Sequence, residues 1–88
     1  MAILSIEQCR AGRALLSWTQ DELAKEARTA GRTVKDFERG ARQPLDRTLR
    51  DLKEAMERAG VQFIAAGPYQ GDGGPGVRLR ADSDHSGL

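Results

Sequence analysis

Residues 13–40, RALLSWTQDELAKEARTAGRTVKDFERG, decide the fold of this chain. Thr19 and Glu22 have the spacing of a capping box, in which each side chain accepts a hydrogen bond from the backbone N–H group of the other residue. Three apolar residues then share one face at helical spacing, namely Leu23, Ala24 and Ala27. The pattern predicts a helix over residues 20–27.

A second helix is predicted almost at once. Residues 28–30 leave room only for a tight turn, and Val34 and Phe37 give the next helix, from about residue 31 to residue 39, a buried face. Gly40 is expected to end it, because glycine readily adopts the left-handed conformation of the residue after a helix. Two short helices joined by such a turn fit the plan of a helix-turn-helix.

A further helix is predicted before this pair. Ser5 and Gln8 form another capping box, which begins a helix over residues 6–16. The apolar face of this helix includes Arg13, and a guanidinium on such a face needs a compensating partner.

After the pair, Asp46 is expected to cap a fourth helix over residues 47–59. The hydrophobic period then changes from helical to alternating, in residues 61–64 and again in residues 77–80. Between these two runs, residues 65–76 contain five Gly and two Pro, which predict a flexible loop. The C-terminal part is therefore predicted to be a β-hairpin.

The predicted fold class is mainly α, a four-helix domain over residues 1–60 with a short C-terminal β-hairpin over residues 61–80 and a disordered tail over residues 81–88. A chain of 88 residues buries a thin core, and dimerisation would add to it. No stretch reaches the roughly 20 apolar residues of a membrane span. The first ten residues lack the features of a signal peptide, and Cys9 is the only cysteine, so a cytoplasmic protein is expected.

The charge is unevenly distributed along the chain. The formal net charge is only +1, but residues 28–53 contain eight basic and four acidic residues. The rest of the chain contains six basic and nine acidic residues. One basic segment in a nearly neutral chain is compatible with a nucleic-acid partner.

Several positions resemble the phage repressor and Cro-like (Xre-type) helix-turn-helix regulators. That family has an Arg, then Gln-x-x-Leu-Ala, then Thr-Ile-x-x-(aromatic or Leu)-Glu-x-Gly, then a Pro. Here the matching residues are Arg13, QDELA at 20–24, TVKDFERG at 33–40, and Pro44. The resemblance covers about residues 6–60, and implies a phage-repressor-like domain whose recognition helix enters the major groove of double-stranded DNA.

The resemblance also implies roles for three polar residues. Arg13 and Glu38 match residues that usually form a mostly buried ion pair, which would compensate the charge of Arg13. Gln20 matches a glutamine at the start of the second helix, where a side chain and backbone N–H groups can meet a DNA phosphate. The alternative for Gln20 is an ordinary surface residue.

Base contacts are expected from the N-terminal part of the recognition helix. Arg32 is the best candidate, because its guanidinium matches the O6 and N7 acceptors of guanine. Asp36, one turn later, could accept a hydrogen bond from cytosine or could only hold Arg32 in place. Gly31 is a third candidate at a base edge, although it offers no side chain. Phosphate contacts are expected from Lys35, Arg39 and Arg42, unless these are solvated surface charges.

The turn departs from the family pattern. Arg28 stands where Gly is usual, and Thr29 stands where an aliphatic residue is usual. Ala30 stands where Ser or Thr would cap the recognition helix, which costs about 1 kcal/mol unless Thr29 caps it one residue earlier. These departures predict weaker or less specific DNA binding than in a protein that keeps the full family pattern.

The sequence predicts a sequence-specific DNA-binding transcriptional regulator, a repressor that acts as a homodimer on a pseudo-palindromic operator. The fourth helix or either strand of the hairpin could form the dimer interface, and an edge strand paired with its twin is favoured. The alternative function is a protein-interaction module, an antitoxin or antiactivator, on the same fold with weak or lost DNA binding.

Enzymatic activity, a metal site and a cofactor are not expected. Cys9 and His85 are far apart in sequence and give no nucleophile–base pair. Asp82, Asp84 and His85 have ligand-type side chains, but they lie in the predicted tail, where no site is preorganised.

Overall fold

The computed structural model describes residues 3–65, 67–68 and 72–80 of the chain. These residues form four helices followed by short antiparallel strands, which confirms the mainly helical class. The elements are α1 (Ile6–Leu16), α2 (Gln20–Ala27), α3 (Gly31–Glu38), α4 (Asp46–Arg58), β1 (Val61–Ile64), β2 (Gly67–Pro68), β3 (Asp72–Gly73) and β4 (Gly76–Leu79). The predicted tail, residues 81–88, lies outside the described residues. No helix in the described ranges is long and apolar enough to cross a membrane.

Both predicted capping boxes are present. The hydroxyl of Ser5 accepts a hydrogen bond from the backbone N–H of Gln8 at 3.0 Å, and the Gln8 side chain accepts one from the Ser5 N–H at 3.1 Å. Thr19 and Glu22 repeat this exchange at 3.0 and 2.7 Å. Four backbone donors at the starts of α1 and α2 are thereby satisfied, which fixes where the two helices begin.

The predicted cap of α3 is confirmed, and the predicted cap of α4 is wrong. Ala30 occupies the N-cap of α3, and no side chain in the described part of the chain caps it, so Thr29 does not compensate. The N-cap of α4 is Leu45, whose extended backbone follows Pro44, while Asp46 is already helical. The Leu45 carbonyl accepts from the Leu49 N–H at 3.0 Å and closes the first turn. The Asp46 carboxylate therefore faces the positive end of α4 from within the helix.

Helices α1, α2 and α3 are each followed by a residue with positive φ, namely Ser17, Arg28 and Gly40. At the end of α3, Gly40 has φ +75°, as predicted, and the Ala41 N–H bonds back to the Asp36 carbonyl at 2.9 Å. At the end of α2 the same position is held by Arg28 with φ 58°, and the Thr29 N–H bonds to the Ala24 carbonyl at 2.9 Å. The Cβ of a non-glycine residue is crowded in this conformation, so Arg28 stores strain in the α2–α3 connection.

The core lies where the four helices and β1 meet. Each of these elements contributes to it, together with Leu4 just before α1. The largest fully buried side chains are Leu4, Cys9, Leu23, Val34, Leu49, Leu52, Met56 and Val61. α1 approaches α4 closely at Gly12, where a Cβ atom would lie 2.7 Å from the sulfur of Met56. A larger residue at this position would push the two helices apart.

The predicted strand segments pair as an antiparallel sheet. β1 pairs with β4 in the register Val61↔Leu79 and Phe63↔Val77, and these side chains pack against the helical core. Part of the predicted flexible loop is also paired, because β2 pairs with β3 with Gly67 opposite Gly73. The two ladders are separate two-stranded sheets.

Gln8 fastens the sheet to the helices. Its side-chain amide donates to the carbonyl of Gly76 at 3.1 Å and to that of Ile64 at 3.4 Å, while its oxygen completes the α1 capping box. Gln8 is 8% exposed, so these bonds form away from water, where an unsatisfied amide would be costly. The sequence predicted only the capping role.

Replacing Arg28 tests the strain in the α2–α3 connection. Arg28→Gly should stabilise the protein by roughly 0.5–1 kcal/mol, because the relief of left-handed strain exceeds the entropy cost of a glycine. Arg28→Ala is the matched control, since it removes the guanidinium but keeps a Cβ. The free energy of unfolding in urea measures both variants. A gain of similar size in Arg28→Ala would assign the effect to charge instead of backbone strain.

Candidate nucleic-acid interface

The carboxylate of Glu38, the last residue of α3, joins three helices. Arg13 in α1 binds it in a bidentate ion pair, with nitrogen–oxygen distances of 2.8 and 2.7 Å. Gln20, at the start of α2, donates its amide to Oε1 at 3.0 Å, and the thiol of Cys9 donates to Oε2 at 3.0 Å. The side chain of Glu38 is only 2% exposed and that of Arg13 20% exposed. This set of residues is called the Glu38 network below.

Protonation equilibria in the Glu38 network follow from these contacts. Burial by itself would raise the pKa of Glu38, but the hydrogen bonds from Arg13, Cys9 and Gln20 outweigh it, and the pKa is lowered. The hydrogen bond to Glu38 raises the pKa of Arg13. Burial raises the pKa of the Cys9 thiol, and the nearby carboxylate raises it further. Cys9 therefore remains a neutral donor and is not a reactive thiolate.

The Glu38 network fixes the position of α3 on the rest of the domain. Arg10 adds a second link from α1, because its guanidinium donates to the backbone carbonyl of Glu38 at 2.8 Å. Arg13 also donates to the carbonyl of Trp18 at 3.0 Å, in the connection between α1 and α2. The C-terminal end of α3 is thus held by charge-assisted hydrogen bonds, which are shorter and stronger than neutral ones.

Gln20 has a structural partner in addition to its predicted role. Its amide nitrogen is engaged with Glu38, so a phosphate contact would use the second amide hydrogen or the backbone at the start of α2. The contact with phosphate stays a prediction. The bond to Glu38 gave no signal in the sequence, because residues 20 and 38 are joined only by the packing of α2 against α3.

The two faces of α3 differ sharply. Val34, Phe37 and Glu38 are buried. On the opposite face the side chains of Arg32 and Arg39 are 86% and 66% exposed. Lys35 lies between them and is also exposed. Since these three cations are spaced three and four residues apart, they form one row on the helix surface, called the α3 basic row below.

Asp36 lies beside the α3 basic row. It is less exposed than expected for a residue predicted to reach a DNA base. Its side chain is 14% exposed, and its Oδ1 accepts from Arg39 at 3.0 and 3.2 Å. Its Oδ2 lies 3.7 Å from the Nε of Arg32. Arg39 is therefore held in place, whereas Arg32 is only loosely paired and keeps its freedom to turn outward.

The N-terminal end of α3 packs tightly against the first turn of α2. A Cβ atom at Gly31 would overlap the carboxylate of Asp21, so a larger residue here would force the Asp21 side chain to move. Asp21 thereby places a negative charge at the positive end of a helix that lacks a side-chain cap. Gly31 is half-buried and its predicted contact with a base edge stays a prediction.

Two further features lie away from α3. Arg42, expected at a phosphate, is exposed in the connection between α3 and α4. A groove of about 690 Å³ between α2 and α4, which the sequence analysis did not predict, is lined by Lys25, Glu26, Ala27, Arg28, Arg47, Asp51, Glu54 and Arg58. Its basic and acidic side chains are interspersed, so the groove has no strong preference for an anion.

Two comparisons with known proteins were made for this chain, with family models and with curated proteins. No family model matches it, and a search of curated proteins finds no match. Within the described ranges, no group of three or more His, Cys, Asp or Glu side chains is arranged to hold a metal ion. The chemistry of the surface must therefore be interpreted from its own residues.

The lowered pKa of Glu38 makes stability depend on pH. The stabilisation is complete above the unfolded-state pKa of about 4.3 and is lost as the pH falls through the lower folded-state pKa. Glu38→Gln should cost about 3–5 kcal/mol at pH 7, because Arg13 is left without its counter-charge, and should flatten the acid side of the stability curve. Urea unfolding at a series of pH values between pH 2 and pH 7 measures both effects, with most of the points at and below the unfolded-state pKa of Glu38.

Glu54→Gln is the matched control for this experiment. It makes the same change of charge at an exposed site in α4, and should change stability by less than about 0.5 kcal/mol. If the free energy of unfolding of Glu38→Gln still falls with pH as steeply as in the wild-type protein, other carboxylates cause the acid unfolding.

Proposed function

We propose that this protein is a sequence-specific, double-stranded DNA-binding transcriptional regulator that acts as a repressor. In this proposal α2, the connection and α3 form a helix-turn-helix, and α3 is the recognition helix. The observation that carries the proposal is the α3 basic row, exposed on one side of a helix whose other side is fixed by Val34, Phe37 and the Glu38 network. The resemblance of residues 13–44 to Xre-type regulators supports it.

The freedom of each cation suggests its role. Arg32 lies in the first turn of α3, is 86% exposed and is only loosely paired, so it is free to reach the O6 and N7 atoms of a guanine in the major groove. Arg39 is at the far end of α3 and is held by Asp36, which suits a fixed contact with the phosphate backbone. Lys35 and Arg42 are exposed and complete the proposed phosphate contacts.

The Glu38 network has a positioning role in this proposal. A recognition helix must be held rigidly for its side chains to reach base edges, and rigid support is what a buried, fully hydrogen-bonded ion pair gives. Arg13 and Glu38 do not contact DNA themselves.

A homodimer follows from the small size of one recognition helix. One α3 reads only a few base pairs, whereas two copies related by a two-fold axis place two helices about 34 Å apart on a pseudo-palindromic operator. A repressor of this kind acts by occupying DNA that the polymerase needs.

A second candidate function is a protein-interaction module, such as an antitoxin or antiactivator. The position of two carboxylates favours it, since Asp21 lies at the N-terminal end of α3 and Asp36 lies beside the basic row. Each reduces the attraction of α3 for phosphate and offers a partner protein an acceptor.

Selection from a pool of random duplex DNA discriminates between these two functions. The purified protein is mixed with the pool at physiological salt, and the bound fraction is recovered and sequenced. Enrichment of an inverted repeat with half-sites about one helical turn apart is the expected result. Weak, salt-sensitive binding without an enriched sequence would contradict the regulator and favour the interaction module.

Two arginine variants test the assignment within the interface. Arg32→Ala should cost roughly 1–3 kcal/mol of binding energy and flatten the preference at one base position. Arg42→Ala removes the same charge outside α3. It should weaken binding to all DNA sequences about equally and reduce the slope of log K against log salt by about 1. Titrations of the selected site and its single-base variants measure both effects. An unchanged base preference in Arg32→Ala would mean that α3 is not the reading helix.

A further inference from the structure

The hydrogen-bonding pattern of the sheet shows where its backbone groups point. The Arg80 N–H donates to the Gly60 carbonyl at 2.9 Å, so these opposite residues form a hydrogen-bonded pair. Bonded and non-bonded pairs alternate along an antiparallel ladder. Val77, opposite Phe63, and Leu79, opposite Val61, are therefore in non-bonded pairs. The N–H and C=O groups of Val77 and Leu79 point away from β1.

The two edges of the sheet have different surroundings. β1 follows α4 directly and packs against α4 and α1 as well as β4. β4 has its main contacts with β1 and α1. In the described part of the chain α4 therefore lies nearer to β1 than to β4, and Val77 and Leu79 present alternating donors and acceptors along the outer edge of β4.

We propose that the β4 edge binds β4 of a second copy of this chain, antiparallel across a two-fold axis. The order β1-β4-β4-β1 then makes one four-stranded sheet across the two copies. This inference rests on the homodimer of the proposed function and names its interface. An edge that alternates donors and acceptors is complementary to an identical edge running the other way, as an isologous interface requires.

The structure favours a second copy that closes the assembly at two. A β4-to-β4 contact uses the same edge of both copies, so this pairing joins two copies and does not by itself continue into a filament. The residue before β4 is Pro75, which has no N–H and limits how far the pairing extends. A two-stranded sheet is marginal alone and gains from becoming four-stranded. Pairing would also place a second strand beside the half-exposed side chains of Val77 and Leu79.

The dimer proposed here would fix the two recognition helices relative to each other. Gln8 bonds to the carbonyls of Ile64 and Gly76, and so joins the sheet to α1. α1 also provides Arg13, which holds α3 through Glu38. The interface and the DNA-reading surface are therefore connected by one helix, which sets the spacing of the half-sites.

The first test measures the wild-type chain without DNA. Sedimentation and backbone amide exchange are followed from low micromolar to millimolar protein. Dimer formation should slow exchange at Val77 and Leu79 by about tenfold or more, because their N–H groups become bonded. Gln62 and Arg78 form a bonded pair within the sheet and should exchange slowly at every concentration. A chain that stays monomeric, or a dimer in which Val77 and Leu79 still exchange rapidly, overturns the proposal.

The second test removes one outward donor. Val77→Pro deletes an N–H that points away from β1, so the dimer should dissociate while the helical circular dichroism is retained. Val77→Ala keeps the N–H and should remain dimeric. A Val77→Pro protein that is folded and still dimeric overturns the proposal, and if this variant unfolds, the exchange measurement on the wild-type chain decides. Neither test uses DNA, so a chain that selects an operator but does not pair through β4 overturns this interface alone.

Discussion

The buried carboxylate of Glu38 is the constraint on which the arrangement of the first three helices depends. A charge that is 2% exposed must be compensated, and the donors that compensate it come from α1 and α2. Since Arg13 and Cys9 of α1 and Gln20 of α2 all bind the one carboxylate, Glu38 ties α3 to both of the other helices. α3 is the helix whose orientation matters most for the proposed function, and it is the helix that carries Glu38.

Gln8 has the corresponding role for the sheet. Its amide bonds to two strand carbonyls while its oxygen completes a capping box, so one side chain couples the start of α1 to the sheet. Gln8 and Arg13 lie on the same helix. α1 is thus a scaffold that holds α3 at one site and the sheet at another, as the proposed dimeric DNA-binding function requires.

The connection between α2 and α3 is the least favourable part of the structure. Arg28 is left-handed, and Ala30 leaves the start of α3 without a side-chain cap. Each of these two features costs about 1 kcal/mol, and the nearby carboxylate of Asp21 offsets part of the second. Both costs fall next to Arg32, at the end of α3 nearest to the proposed base contact.

Local patterns in the sequence determined the start of α1 and α2, the left-handed end of α3 and the alternation of the two main strands, because caps, glycines and hydrophobic periods act over a few residues. Local patterns failed at α4, where Leu45 and not Asp46 is the cap, and in the loop, where β2 pairs with β3. Only tertiary structure decided that Gln8 holds the sheet, that Gln20 and Cys9 join Arg13 at Glu38, and that Asp36 holds Arg39 more closely than Arg32. The bonds of Gln8, Gln20 and Cys9 join residues 18 to 68 positions apart, which no local pattern can predict. The bond between Asp36 and Arg39 is local, but it depends on side-chain rotamers that packing selects.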